Sequence, residues 1–288
     1  MSAVAVEDDV LRTSTALVSG QGYATIERSA RRGRSVVTRL AASSPLRLLT
    51  PQNHGLGAWI YTSTFGGGIV DGDAIDLDLQ IMKGASAFLA TQSATKVYPS
   101  TRGSCSRLTA RLADRALLVS APDPVVCFRG ARYRQEQAFD LEPTATLVAV
   151  DALVSGRYAR GERWAFTHYV TRTTIRRGGK VIVRDALLLG ETDGDIAQRL
   201  GRFNALSTVF LVGPGVAVEC DRLTSTSAEA PVSRRSDFLM IASPGGCPGV
   251  DTCIVRIAGV SVERVNAAVR DVLAFVPVML GDNPFRIK

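Results

Sequence analysis

FGGGIVDGDAIDLDLQIMKGASAFLATQSATKVY, residues 65–98, decides the class of fold. In its middle, Ile75, Leu77, Leu79 and Ile81 alternate with Asp76, Asp78 and Gln80. Successive side chains of an extended chain point to opposite faces, so this period of two predicts a half-buried strand with one apolar and one wet, acidic face. Lys83-Gly84 supplies a turn, and Ala85 to Ala90 is a second apolar run ending in the polar string Thr91, Gln92, Ser93, Thr95, Lys96 and Tyr98. Gly66, Gly67 and Gly68 invite comparison with phosphate-binding loops, but those place an anion on the first amides of a helix, and no helical period follows. The triplet reads instead as a turn into a strand, where glycine admits positive φ and close backbone approach.

Outward from this stretch the pattern repeats. Tyr23 to Arg39 predicts a hairpin with a basic turn, and Ser106–Leu112, Ala116–Ser120, Val125–Phe128 and Thr146–Val154 have strand length. His168–Arg177 and Lys180–Leu189 flank Gly178-Gly179, a pair suited to the positive φ of a tight hairpin turn. No helices stand between the strands, so parallel βαβ units are not indicated, and the strand spacing fits a sheet that coils on itself. Two segments predict helices. Asp195–Leu206 is a short one weakened by Gly201. Ser261–Val276 carries an apolar stripe of Val262, Val265, Val269, Val272, Leu273 and Val276, with Ser261 placed to cap it and Pro277 to end or kink it.

Composition narrows the function. The 288 residues carry 34 Lys plus Arg against 27 Asp plus Glu, a net charge of +7, with 46% hydrophobic residues. A sizeable core is affordable and global disorder is disfavoured. Arginine clusters such as Arg31, Arg32, Arg34 and Arg176, Arg177 lack the interleaved aromatics of an RNA-binding surface and read as a solvated face. The five cysteines form no CxxC pair, which indicates neither structural zinc nor a thioredoxin-like motif and suits a reducing compartment. No apolar run approaches the roughly 20 residues of a membrane span, and the acidic N-terminus is unlike a secretory signal. The expectation is a cytoplasmic chain of one domain over 1–288, with 1–19 a loosely held tail.

A serine hydrolase would need a base and a nucleophile elbow. The chain has two histidines, His54 and His168, and no GxSxG. Cys127 with His168 is conceivable as a thiol pair, although a cysteine between Val126 and Phe128 is more often core. Asp71 and Asp73, two apart, would share a face if extended, a start on a metal or acid/base site, whereas aspartates in glycine-rich turns commonly bond nearby amides. Glu162 sits among Arg157, Arg160 and Arg163, a grouping that predicts an ion-pair network holding loops together. Trp164 reads as a core anchor with a satisfied indole N–H.

GGGIVDGD followed by ATQSATKVYPS resembles the paired signature of the urease accessory proteins called UreD, or UreH in some organisms. Pro122–Gln135 (PDPVVCFRGARYRQ), Asp151–Phe166 (DALVSGRYARGERWAF) and the closing GDNPFR at 281–286 match further family blocks in the family's order. The chain departs from the family pattern at Ala58–Phe65, where many members carry a cysteine and a Pro-Pro, and at Pro99. The resemblance implies a mainly β, β-helix-like or solenoid-like body of many short strands with C-terminal helices. It implies a non-enzymatic chaperone that binds apo-urease with UreF and the GTPase UreG and helps insert nickel, with a dimer within the complex left open. No cofactor of its own is implied: nickel is in transit and GTP acts through UreG. Strong nickel ligands are scarce in this chain, so Asp71, Asp73 and Glu162 are expected to act as weak oxygen donors along a conduit. The rival readings are a β-solenoid carbohydrate-active enzyme using paired carboxylates, which needs more than the 6% aromatic content found, and a metal-independent scaffold binding an acidic partner.

Overall fold

A computed structural model describes residues 20–31, 33–229, 233, 235–245 and 249–287. The expected N-terminal tail, Arg32 and Cys247 lie outside these. Strands dominate and form two sheets. The first contains β1 (Gly20–Arg28), β2 (Ser35–Ala42), β5 (Ala74–Ile81), β8 (Ser104–Leu112), β11 (Arg132–Leu141), β13 (His168–Arg177) and β14 (Lys180–Gly190), in the order β14-β13-β11-β8-β5-β1-β2. The second contains β3 (Leu46–Leu49), β4 (Ala58–Thr64), β6 (Ser86–Thr91), β9 (Leu117–Ser120), β12 (Thr146–Val154), β15 (Ala205–Val212), β16 (Phe238–Pro244) and β17 (Thr252–Gly259), in the order β16-β17-β15-β12-β9-β6-β4-β3, with β10 (Val125–Cys127) pairing with β12 and β7 (Thr95–Val97) with β10.

From β4 to β13 the chain passes back and forth between the sheets. Each strand therefore lies parallel to the one laid down a wind earlier: β5, β8, β11 and β13 in the first sheet, β4, β6, β9 and β12 in the second. Parallel neighbours usually need a helical crossover, and here a strand of the opposite sheet takes its place. This is the solenoid-like body that the resemblance implies, with mixed sheets that do not close.

The half-buried strand is β5. Leu77, Leu79 and Ile81 are buried between the sheets with Phe139, Ile175, Leu118, Leu147 and Phe210, and Ile75 is buried in an adjoining cluster with Tyr133 and Tyr169. Its acids face outward: Asp76 meets Arg107 of β8 at 3.4 Å, and Arg107 also reaches Glu136 of β11 at 3.3 Å. Such exposed pairs contribute little energy, so the apolar face fixes the register. The glycine triplet is a turn with Gly66 and Gly67 at positive φ, and the hairpin turn has both Gly178 and Gly179 at positive φ.

A second core lies on the other side of the second sheet. There Trp59, Tyr61, Phe88, Val119, Val209 and Val255 pack against helices α2 (Ala217–Glu229), α3 (Val262–Val272) and α4 (Val276–Leu280). The stripe read from the sequence buries Val265 and Val272, and the Ser261 hydroxyl accepts from the Arg264 amide as the cap. The helix expected over 261–276 ends at Val272, because Pro277 opens the first turn of α4, a position that needs no amide. The helix expected over 195–206 is one turn, α1 (Ile196–Arg199), capped by Asp195. Gly201 at positive φ reverses the chain, and Ala205 and Leu206 already belong to β15.

Candidate functional site

The space between the sheets is not uniformly apolar. Asp151 interrupts the run of β12, and its inward side chain meets the first sheet: the Thr171 hydroxyl donates to it at 2.5 Å and the Gln135 amide at 3.2 Å. The Ser106 and Tyr133 hydroxyls share a hydrogen bond at 2.6 Å, and Gln137 donates to Thr173. In the ladders Asp151 stands opposite Thr208 and Thr208 opposite Arg256, whose guanidinium reaches Asp185 of β14 at 2.5 Å. Polar contacts thus cross the gap at two places, at Asp151 and at the partly exposed Arg256–Asp185 pair. Burial pushes the Asp151 carboxyl up to about 6, and Asp185 adds to this, while the bonds from Thr171 and Gln135 pull it down.

Beside Asp151 lies a cavity of about 170 Å³ lined from both sheets, including Ser106, Tyr133, Gln135, Gln137, Ser120 and Asp151. The stretch at 65–98 builds one side of it: Gly67, Gly68, Ile69, Ile75, Leu77 and the polar string from Thr91 to Lys96. Gly68 is required there, since a side-chain carbon at this position would sit 2.7 Å from the Lys96 carbonyl and 2.6 Å from the Tyr98 ring.

Asp71, Asp73 and Glu162 lie outside this lining, on the turns that lead into strands of the first sheet. Asp71 and Asp73 do not share an extended face: Gly72 at positive φ makes the segment a turn. Asp71 accepts from the Arg102 amide at 2.9 Å, the Arg102 Nε at 3.2 Å and the Thr101 hydroxyl at 3.2 Å. Desolvation raises its carboxyl, and these bonds outweigh it and hold the group below the ordinary carboxylate range. Asp73 turns back to accept the Val70 amide at 2.8 Å. Glu162, 8% exposed, accepts from Arg157 through both arms of the guanidinium and from the Arg129 amide at 3.3 Å. The Arg157 bonds hold it below the ordinary range.

The arginine network is narrower than its sequence suggests. Arg157 alone of the three pairs with Glu162 and also stacks over Phe128 at 4.1 Å, while Arg163 turns to Asn204 and the carbonyls of Gly201 and Phe203. The Trp164 indole donates to the Phe203 carbonyl at 2.8 Å, as expected of a satisfied anchor. Cys127 is 1% exposed in the core and burial raises its thiol, which suits packing rather than attack. The His54 amide donates to Asp282, which ties the loop before β4 to the C-terminal segment. Among the described residues no three His, Cys, Asp or Glu side chains converge on a point, and no helix is long and apolar enough to cross a membrane.

Sequence reasoning gave no role to Asp151, Gln135 or Gln137. The signal was present: an aspartate inside TLVAVDALV, and glutamines on the inward positions of RYRQEQAFDL.

Residues 20–287 match the family model of the UreD urease accessory protein. A urease accessory protein UreD of Sorangium cellulosum (strain So ce56) is 45% identical over 270 residues, covering 94% of this chain and 84% of that protein. One from Anaeromyxobacter sp. (strain Fw109-5) is 41% identical over 276 residues, covering 95% and 91%, and urease accessory protein D of Arabidopsis thaliana is 33% identical over 282 residues, covering 88% and 96%. With a family model matching nearly its whole length and relatives up to 45% identical along it, the chain belongs to the UreD family of urease accessory proteins.

Proposed function

We propose that this chain is a non-catalytic chaperone of urease maturation that passes nickel toward the urease apoprotein in a complex with UreF and the GTPase UreG. It works in the cytoplasm, holds no cofactor of its own, and leaves GTP hydrolysis to UreG. The observation that carries this reading is a largely apolar cavity of a family member into which Ser120, Gln135, Gln137 and Asp151 of the two sheets project. A protein whose purpose was only to dock others gains nothing from a charged group in its core, because burying a carboxylate away from water costs stability.

The donors favour passage over storage. Oxygen ligands bind nickel more weakly than imidazole or thiolate, and an ion held by them is readily released. Asp71, Asp73 and Glu162 serve in this proposal as carboxylates beside the path. Each already accepts an arginine or amide bond, so an ion would pass by exchange with those partners.

The test is coexpression of a urease apoprotein and the partner accessory proteins with and without this chain. Nickel per urease and urease activity should both fall strongly when the chain is omitted. A urease that fills its nickel site equally well without it would overturn the proposal.

A further inference from the structure

We propose that one rim of the solenoid, built by four stacked turns and exposing Phe65, Val70, Tyr158, Arg129, Arg132 and Arg160, docks an acidic face of the urease apoprotein. The inference rests on the passage reading above, in which Asp71, Asp73 and Glu162 of these same turns stand beside the path of the ion, so that its recipient belongs against this rim.

Turns 65–73, 98–103, 128–131 and 155–167 each carry the chain from the second sheet to the first, into β5, β8, β11 and β13, which are neighbours in that order. Turns that recur once per wind stack on one side of a solenoid, the side such bodies commonly use for binding. Here each is bonded to the next. The Gly72 amide donates to the Gly103 carbonyl at 2.9 Å, the Ser100 amide to Gly130 at 3.2 Å and the Gly130 amide to Ala165 at 3.1 Å, and Tyr98 meets Phe128 edge-on at 5.2 Å. At a strand spacing of about 4.8 Å the four turns cover about 15 Å of continuous surface. Tyr158 stands on a short 3-10 turn fixed by Gly161 at positive φ and by the Arg157–Glu162 pair. A rim already held in place loses little freedom on binding.

Its side chains are of the kind that carries binding energy between proteins. Tyr158 is 67% exposed, Phe65 55% and Val70 50%, and tyrosine and arginine are enriched among the residues that dominate interfaces. Single apolar residues on a surface are ordinary, but these three share one rim with arginines. The charge there is one-sided. Asp71 and Glu162 are taken by Arg102 and Arg157, and Asp73 by the Val70 amide. Arg129, Arg132 and Arg160 are exposed, and their guanidinium groups bond no carboxylate among the described residues. The opposite rim, at 82–85, 113–116, 142–145 and 178–180, exposes both signs: Lys83, Arg115 and Lys180 with Asp114 and Glu142. Charge complementarity therefore selects an acidic partner for the first rim and not for the second.

The experiment measures capture of a purified urease apoprotein by the immobilised full chain, with UreF present and absent, and follows thermal unfolding in parallel. Wild type should bind, and more weakly as salt is raised. Tyr158→Ala should lose roughly tenfold or more in affinity, and Arg132→Glu combined with Arg160→Glu roughly tenfold, at unchanged unfolding midpoints. Lys83→Glu combined with Lys180→Glu, on the opposite rim, should bind as wild type does. Equal binding by the Arg132→Glu, Arg160→Glu chain overturns the surface even where Tyr158→Ala fails to fold. An equal loss from the opposite rim overturns it too, as does no capture by wild type under either condition. The maturation role is read separately, from nickel in coexpressed urease. Rim variants that bind normally remove only the docking surface, whereas a urease filled without the chain removes the role whatever the capture shows.

Discussion

The Thr171 hydroxyl on one sheet donates to the Asp151 carboxylate on the other across 2.5 Å, in a gap packed for much of its length by apolar side chains. Its strength depends on which protonation state the fold tolerates. The folded Asp151 carboxyl is raised from 3.8 to about 6, so the folded state holds this proton at pH values where the unfolded chain has released it. Stability from this group is full below about pH 4 and is lost as pH rises toward 6. Asp151→Asn should remove that slope and leave the chain more stable than wild type above pH 6, by up to about 3 kcal/mol. Unfolding midpoints from pH 4 to 8 check this, and a variant less stable at pH 7.5 would contradict it.

Gly68→Ala drives a methyl into the Lys96 carbonyl, which is backbone and cannot swing aside. The Ile69–Val97 bridge beside it must then shift. A loss of about 2 kcal/mol is expected, in the range of a strained backbone contact. Gly66→Ala meets no atom but must adopt positive φ, and should cost about 1 kcal/mol. Denaturant midpoints of the two variants test the order.

Phe285, near the C-terminus, meets Phe88 edge-on with centroids 5.9 Å apart, over the face that also holds Trp59 and Tyr61. Phe285→Ala should lower stability by about 2 kcal/mol, less than for a fully buried phenylalanine because the ring is partly exposed. Removal of residues 261–288 takes away α3 and α4 and leaves α2 alone over that apolar face, and the product should fail to fold. Soluble, cooperatively unfolding truncated chain would show that the helices are dispensable.

Glu162→Gln keeps the shape of the side chain and removes the charge that both arms of Arg157 engage. Amide hydrogen exchange over 156–164 should quicken while the strands remain protected. If Glu162 stands beside the nickel path, nickel per coexpressed urease should also fall at an unchanged level of this chain.

The strands with plain alternation were legible in the sequence, β5 and the β13–β14 hairpin above all, because a single buried face wrote its period into them. β11 was not. Gln135 and Gln137 occupy its inward positions, so the apolar beat that marks a strand is missing where polar contacts line the gap. β15 lies between a helical layer and the first sheet and its second half, Val209–Val212, is buried on both faces, which replaces alternation with a continuous apolar run. Asp71, Asp73 and Glu162 stood out through the resemblance, and the structure shows turns that bind each to its own partner. Asp151 was hidden because one acid in an apolar run gives no clue to what faces it until the two sheets are superposed.

The winding of the chain has a mechanical consequence. Each interior strand is laced by backbone hydrogen bonds to the winds before and after it, so the two walls cannot part locally without breaking a row of them at once. If nickel passes through the gap as proposed, its movement is timed by rotating amides and hydroxyls, which turn over in picoseconds to nanoseconds when free and more slowly when bonded, rather than by hinged opening of the body.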